Sequence, residues 1–451
     1  MYALYSLLTA AGMLLLSPYF LIRGLIRGKY LDNIPERFGW RFPAELGGGD
    51  SGAPQGKSIW IHAVSVGEVL AALPLAQRLK QLYPQQRLVI STTTATGQKL
   101  ARERMPFADA IFYFPLDWRG PVRCALRATQ AAAVIIVETE IWPNFLHESR
   151  RAGVPVIFVN GRLSERSFRG FLRALSYSGG MLRGFLKRVL NDASLFLMQS
   201  ERDATRLLAL GAPAERVLVG GNLKYDLAEP PESPLSVWLA EELGRNDRSP
   251  VILAGSVMAN EEDAVLQAFA KVEREFPKAL LILAPRKPEQ FDNAAEIIAR
   301  SGRKVVRRRE ITLNGAGSTM MTEPGNVFLL DSLGELAGLY RLADAVFVGG
   351  SLVPSGGHNI LEPAAFGKVP VYGPSMENFR EMAANFLEAG AGIQVSNAED
   401  LGSAWRGLLT DRGRAERMGA SARELVERNR GATQRILEHI APLLDASWGR
   451  M

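Results

Sequence analysis

Residues 346–374 read VFVGGSLVPSGGHNILEPAAFGKVPVYGP. Val346-Phe347-Val348 is an apolar, β-branched run and reads as a buried strand. It stops on Gly349-Gly350. A loop leads to Gly356-Gly357-His358-Asn359, and a helix is expected from Ile360. Val369 to Tyr372 is a second strand, closing on Gly373-Pro374. This alternation belongs to an open α/β sheet, where ligands bind at the carboxyl ends of the strands. A helix opening just after a glycine loop points free backbone N–H groups at the crevice, which suits a phosphate. The alternative is a packing turn with no ligand. Ser351, His358, Asn359 and Glu362 make the stretch more polar than packing requires.

The same pattern extends upstream. Val251–Leu253, Ala279–Leu283 and Val327–Leu330 read as strands ending at Ala254-Gly255-Ser256, Ala284-Pro285-Arg286-Lys287 and Asp331-Ser332-Leu333-Gly334-Glu335. Residues 226–250 are rich in proline and polar side chains and read as a linker. Before it, strands are expected at Ser58–Ala63, Leu88–Ser91, Ala110–Phe114, Ala133–Val137, Pro155–Asn160 and Leu195–Gln199. The chain of 451 residues is too long for one core. Two doubly wound parallel α/β domains are expected, at 23–225 and 251–425, facing one another across a cleft. Residues 426–451 are expected to form a helix that packs back toward the first domain.

The net charge of +6 suits an anionic partner. One cysteine, Cys124, excludes an internal disulfide and a cysteine-rich zinc site, and four histidines show no paired metal-ligand spacing. Residues 1–22 contain no charged side chain and are long enough to span a bilayer core. Arg23, Arg27 and Lys29 follow, which places the rest of the chain on the cytoplasmic side. An uncleaved membrane anchor is expected; a buried or interfacial helix is the alternative. Residues 162–188 carry Arg162, Arg166, Arg169, Arg173, Arg183, Lys187 and Arg188 against Glu165, interleaved with apolar residues. Such a stretch reads as a membrane-surface site or as a solvated helical hairpin broken at Gly179-Gly180.

Several polar residues sit at strand ends. Arg286 can hold a phosphate with two bonds, or be a plain surface arginine. Glu68 lies where a strand turns into a helix, as a general base or as an ordinary helix-start charge. Glu138 and Glu140 project the same way if their strand persists. Lys224 could neutralise a substrate carboxylate or a departing phosphate, or serve as a hinge lysine. His62 reads as structural.

With these stretches in view, the sequence resembles the 3-deoxy-D-manno-octulosonic acid (Kdo) transferases of lipopolysaccharide biosynthesis. The resemblance rests on HAVSVGE (62–68), ETEIWPN (138–144), NGRLSERS (160–167), GNLKYD (221–226), APRKPE (284–289), DSLGEL (331–336) and VGGSLVPSGGHNILEP (348–363). It implies a membrane-anchored GT-B glycosyltransferase, bound to the cytoplasmic leaflet of a bacterial inner membrane. It implies inverting transfer of Kdo from CMP-Kdo to the lipid A precursor (lipid IVA), with no metal, no cofactor beyond the donor substrate and no nucleic-acid partner. By the same resemblance Glu68 is the general base, and Glu138 and Lys224 stabilise the transition state. Arg286, Lys287, Leu333, Gly334, Glu335, Asn359, Ile360, Leu361 and Glu362 contact CMP. Lys287 stands where relatives often carry histidine, and a lysine cannot repeat an imidazole's hydrogen bonds. The competing readings are a GT-B enzyme using a UDP-sugar, a sugar epimerase, and a membrane-tethered binding protein without turnover.

Overall fold

The structure, a computed structural model, describes residues 1–27, 33–46, 56–177, 180–226, 232–313 and 324–448, and their side chains apart from those of 16–27. Lys29 and Gly179, singled out above, and residues 227–231 of the expected linker lie outside the described residues. The chain divides into two units, Met1–Leu227 with Asn429–Met451, and Ala228–Arg428.

In the first unit, short β-branched runs form a parallel sheet. Its strands are β1 (Ser58–His62), β2 (Arg87–Thr92), β3 (Ala110–Tyr113), β4 (Ala131–Val137), β5 (Val156–Gly161), β6 (Leu195–Met198) and β7 (Val217–Val219). The strand order is β3-β2-β1-β4-β5-β6-β7. Both central strands are buried throughout, as expected of a sheet covered on both faces. Alternation along β1 sends Trp60 to one core with Phe112, Phe145 and Phe196, and Ile59 and Ile61 to the other. The second core includes Ile436, Ile440 and Leu444 of the Ala432–Trp448 helix, so the end of the chain belongs to this unit. The order reverses between β1 and β4, and a ligand crevice is expected at their carboxyl ends.

The second unit repeats the plan with β8 (Val251–Val257), β9 (Leu280–Pro285), β10 (Val305–Arg307), β11 (Val327–Leu329), β12 (Ala345–Val348), β13 (Pro370–Tyr372) and β14 (Ile393–Gln394). The order is β10-β11-β9-β8-β12-β13-β14, with every pair parallel. Its switch point lies between β8 and β12. Phe269, Phe347 and Trp405 fill its core, and truncating one such ring costs about 3–5 kcal/mol.

Four details differ from the sequence expectations. β7, β10 and β14 are edge or near-edge strands of three residues or fewer, too short to show an alternation. Pro234–Arg245, within the expected linker, is a helix opened by a Ser233–Ser236 capping box. The C-terminal segment is two helices, Arg412–Asn429 and Ala432–Trp448, parted at Gly431 with φ of +86°. The helix expected from Ile360 is a single short turn, Leu361–Ala365.

The N-terminal helix, Tyr2–Arg27, lies against the first unit over its described side chains. Tyr2 Oη donates to Asp192 Oδ2 at 2.5 Å, Ser6 Oγ meets the Asn144 amide, and Trp118 Nε1 donates to Thr9 Oγ1 at 3.2 Å. Leu7, Leu8, Leu14 and Leu15 on this helix are 63–80% exposed. Among the described residues, no helix is long and apolar enough to cross a membrane.

Candidate active site

In the first unit the polar residues gather at the carboxyl ends of β1, β4, β5 and β7. Glu68 sits in the first turn of the Val66–Leu82 helix, whose N-cap is Ser65. Its Oε2 accepts from Val64 N–H at 2.8 Å and its Oε1 from Ser65 Oγ at 2.9 Å. Only 7% of the residue is exposed. Burial and the neighbouring Glu138 charge push its pKa up to about 7, against the pull of those two hydrogen bonds. A carboxylate at that value is half ionised near neutrality, which suits a general base.

Glu138 follows β4 directly, but the strand stops at Val137 and Glu138 adopts φ of +63°. The expected alternation therefore does not carry on to Glu140. A left-handed backbone at a glutamate costs about 1–3 kcal/mol, and such positions cluster at functional sites. The turn is held by its surroundings: Glu138 N–H donates to Val159 O, and Thr139 Oγ1 accepts from Arg162 N–H. Lys224 Nζ stands 3.9 Å from Glu138 Oε1. Burial, with Glu138 second, raises the Glu140 carboxyl as well.

Sequence reasoning missed Asn160. It is the penultimate residue of β5, at φ of +56°, a conformation asparagine tolerates better than most residues. Its Oδ1 accepts from Leu223 N–H at 3.0 Å, so it fixes the 3₁₀ turn Leu223–Asp226 that carries Lys224. His62 is fully buried and stacked on Phe114 at 3.8 Å. Burial lowers its pKa to about 3, so it is neutral and structural.

In the second unit the glycine loop after β12 is built differently from the expectation. Glu261, fully buried, accepts from the backbone N–H groups of Gly350, Ser351 and Leu352, and also of Met258. This carboxylate holds the Gly350–Leu352 part of the loop, apart from the Gly356–Ile360 stretch where the phosphate was expected. Ser351 Oγ accepts from Gly373 N–H, and Asn359 Oδ1 from Leu361 N–H. Gly349 is required by close approach, since a Cβ there would lie 2.5 Å from Ser256 O.

The cations lie on the next strand end. Arg286 and Lys287 follow β9 and are exposed, with Arg286 N–H donating to Val257 O. Their charges reach the 358–362 segment. The His358 pKa falls to about 4 by burial, then by Arg286 and Lys287. Burial raises Glu362 to about 6, against the Asn359 amide and the Arg286 charge. Leu333 and Gly334 are exposed after β11, Gly334 at φ of +86°. Glu335 is gripped by Arg308, whose Nε and Nη2 lie 3.0 Å from its two oxygens, and by Ser332 Oγ. Arg308 was not singled out in the sequence because it sits in the run Arg307-Arg308-Arg309, where a surface charge is the ordinary reading. β11, β9, β8 and β12 are neighbours, so all these segments emerge along one edge of the sheet. Ile360 is buried beside Leu361. Among the described residues, no group of three or more His, Cys, Asp or Glu is arranged to hold a metal ion.

The family model described as 3-deoxy-D-manno-octulosonic-acid transferase (kdotransferase) matches residues 32–227. The 3-deoxy-D-manno-octulosonic acid transferase of Haemophilus influenzae is 33% identical over 420 residues, 92% of each chain. The chain belongs to the Kdo transferase family. The Bordetella pertussis Kdo transferase is 34% identical over 88% of this chain and 90% of its own. A solved putative UDP-N-acetylglucosamine 2-epimerase from Listeria monocytogenes aligns over 87% of this chain and 98% of its own at 14% identity and a TM-score of 0.54, a likeness of fold alone. Membership makes the protein a glycosyltransferase, a Kdo transferase of lipopolysaccharide biosynthesis. It sets aside the epimerase and the non-enzymatic binding protein.

Proposed function

We propose that this Kdo transferase moves Kdo from CMP-Kdo to the lipid A precursor (lipid IVA), inverting the anomeric carbon, with Glu68 as general base. The observation that carries the reading is the buried Glu68 carboxylate, fixed by Val64 and Ser65, with a pKa near 7. Ionised Glu68 removes the proton from the acceptor hydroxyl as its oxygen attacks the anomeric carbon of Kdo. The bond from that carbon to the CMP phosphate oxygen breaks, and CMP leaves with the electron pair. Lys224, held beside Glu138, counters negative charge that builds during transfer.

The donor belongs to the second unit. Arg286 and Lys287 meet the phosphate as charges, while the N–H groups of Gly350, Ser351 and Leu352 are held by Glu261. Leu333, Gly334, Glu335 and Asn359 to Glu362 form the rest of the CMP site. No cofactor or metal is required beyond the donor. Replacing Glu68 with glutamine tests the reading: CMP-Kdo binding stays and turnover falls by about 10² or more. Unchanged turnover removes Glu68 from the role.

The enzyme works on the cytoplasmic face of the inner membrane. The exposed leucines of the Tyr2–Arg27 helix support this reading, as do Phe171, Leu172, Met181 and Leu182, exposed on the Glu165–Tyr177 and Met181–Asp192 helices beside Arg166, Arg173 and Arg183. Because Tyr2, Ser6 and Thr9 bond to the first unit, the start of the N-terminal helix lies along the surface and its leucines face the lipid.

A further inference from the structure

At the start of the N-terminal helix lies a cavity of about 520 Å³ lined by Tyr2, His147, Arg150, Arg151, Arg188 and Asp192. Its floor is neutralised internally. Asp192 accepts from Tyr2 Oη and pairs with Arg150 Nη1 at 2.9 Å, and His147 Nδ1 lies 3.4 Å away. The His147 ring stacks on Tyr2 at 4.1 Å, which closes one wall. Arg151 and Arg188 are exposed at the rim and have no carboxylate partner among the described residues. Two unneutralised guanidiniums facing one cavity over a satisfied polar floor are a site for an anion, and their planar forks match a phosphate.

The place of the cavity separates it from the candidate active site. The Pro143–Arg151 helix ends just before β5 and the Met181–Asp192 helix just before β6, so Arg150, Arg151, Arg188 and Asp192 lie at the amino edge of the sheet. Glu68, Glu138 and Lys224 follow carboxyl ends. A six-residue strand puts about 20 Å between the two edges. From the cavity the N-terminal helix rises about 10 Å from Tyr2, on Asp192, to Thr9, on Trp118, with Leu7 and Leu8 exposed outward. Apolar side chains turned outward beside a basic cavity match a lipid: acyl chains against the leucines, phosphate between the arginines.

We infer that this cavity binds the phosphate of an anionic lipid headgroup, at a second site remote from Kdo transfer. The inference rests on the membrane-surface part of the reading above. It gives the N-terminal helix a fixed register on the bilayer, which the leucines alone cannot supply.

The test uses the full chain with ¹³C-labelled histidine. The protein has four histidines, and His147→Gln identifies the His147 signal. Dihexanoyl phosphatidic acid, kept below its micelle concentration, and inorganic phosphate are the two probes. The expected result is a saturable shift of the His147 signal by the short-chain lipid, with inorganic phosphate binding more weakly. Arg151→Ala/Arg188→Ala weakens lipid binding by about tenfold or more, as loss of charge-assisted bonds requires. Arg102→Ala/Arg104→Ala removes equal charge from another exposed surface and leaves binding unchanged. No saturable shift, or equal weakening in both double variants, overturns the site. Inorganic phosphate binding as tightly as the lipid overturns the lipid as its ligand. A protein that binds the short-chain lipid yet does not sediment with anionic vesicles supports the site and overturns the membrane-surface reading instead.

Discussion

The Asp226 carboxylate accepts from Gly431 N–H at 2.7 Å and from the N–H groups of Ala432 and Thr433, so it caps the Ala432–Trp448 helix. Asp226 also closes the 3₁₀ turn that holds Lys224. The end of the chain and a candidate catalytic lysine are thus tied by one side chain. Asp226→Ala is expected to lose about 1–2 kcal/mol of stability, the usual worth of a helix cap, and to lower kcat more than donor affinity. Denaturant unfolding and steady-state kinetics on the same variant check both halves.

Glu261 holds the glycine loop of the second unit through three backbone N–H groups and accepts a fourth from Met258, after β8. Glu261→Ala leaves these donors without their carboxylate in a buried site, and an unmet buried donor costs about 1–3 kcal/mol. The expected outcome is a loss of about 3 kcal/mol or more and weaker CMP-Kdo binding. Calorimetric unfolding and titration with CMP follow the two effects. A variant as stable as the parent would show that the loop does not depend on this carboxylate.

Arg308 bonds both Glu335 oxygens, and Ser332 Oγ donates to Oε2 as well. In Arg308→Ala the Glu335 loop loses a two-pronged clamp, and KM for CMP-Kdo is expected to rise about tenfold with kcat nearly constant. Arg308→Lys restores the charge but not the fork, and an intermediate KM is expected. Equal KM values in all three proteins would separate Arg308 from donor binding.

Glu68 links activity to stability. Its folded pKa, about 7, lies above the ordinary 4.5 of the unfolded chain. The contribution to stability is therefore fully present below about pH 4.5 and is lost as pH rises through about 7. The ionised group costs at most about 3 kcal/mol at pH 8. Glu68→Gln is expected to be the more stable protein at pH 8 and to show no advantage at pH 4. Melting temperatures at the two pH values measure it.

The frame of both units is readable from local sequence. β4 is an unbroken apolar run and β8 opens with one, Val251–Ala254, and the strand–glycine–helix rhythm around 346–374 has the expected topology. Glu68 is readable too, because a strand, a turn and its helix are contiguous. What is not readable depends on partners far apart in the chain. Glu261 meets the glycine loop across about 90 residues, so the loop looks empty in sequence. The value of Asn160 lies in a backbone angle and one bond to Leu223, neither of which composition records. Tyr2 reads as part of an apolar span until Asp192 is seen beneath its hydroxyl.

The most direct test of the central claim is kcat against pH for the parent and Glu68→Gln, with CMP-Kdo and a tetra-acylated lipid A precursor, read as acceptor mass. The parent is expected to yield acceptor heavier by Kdo units, with kcat falling as pH drops through about 7, where Glu68 takes up its proton. Glu68→Gln is expected to retain about 1% of that turnover or less, with the step near pH 7 gone. An unchanged acceptor mass beside an active control transferase, or the same pH step in both proteins, would contradict the account.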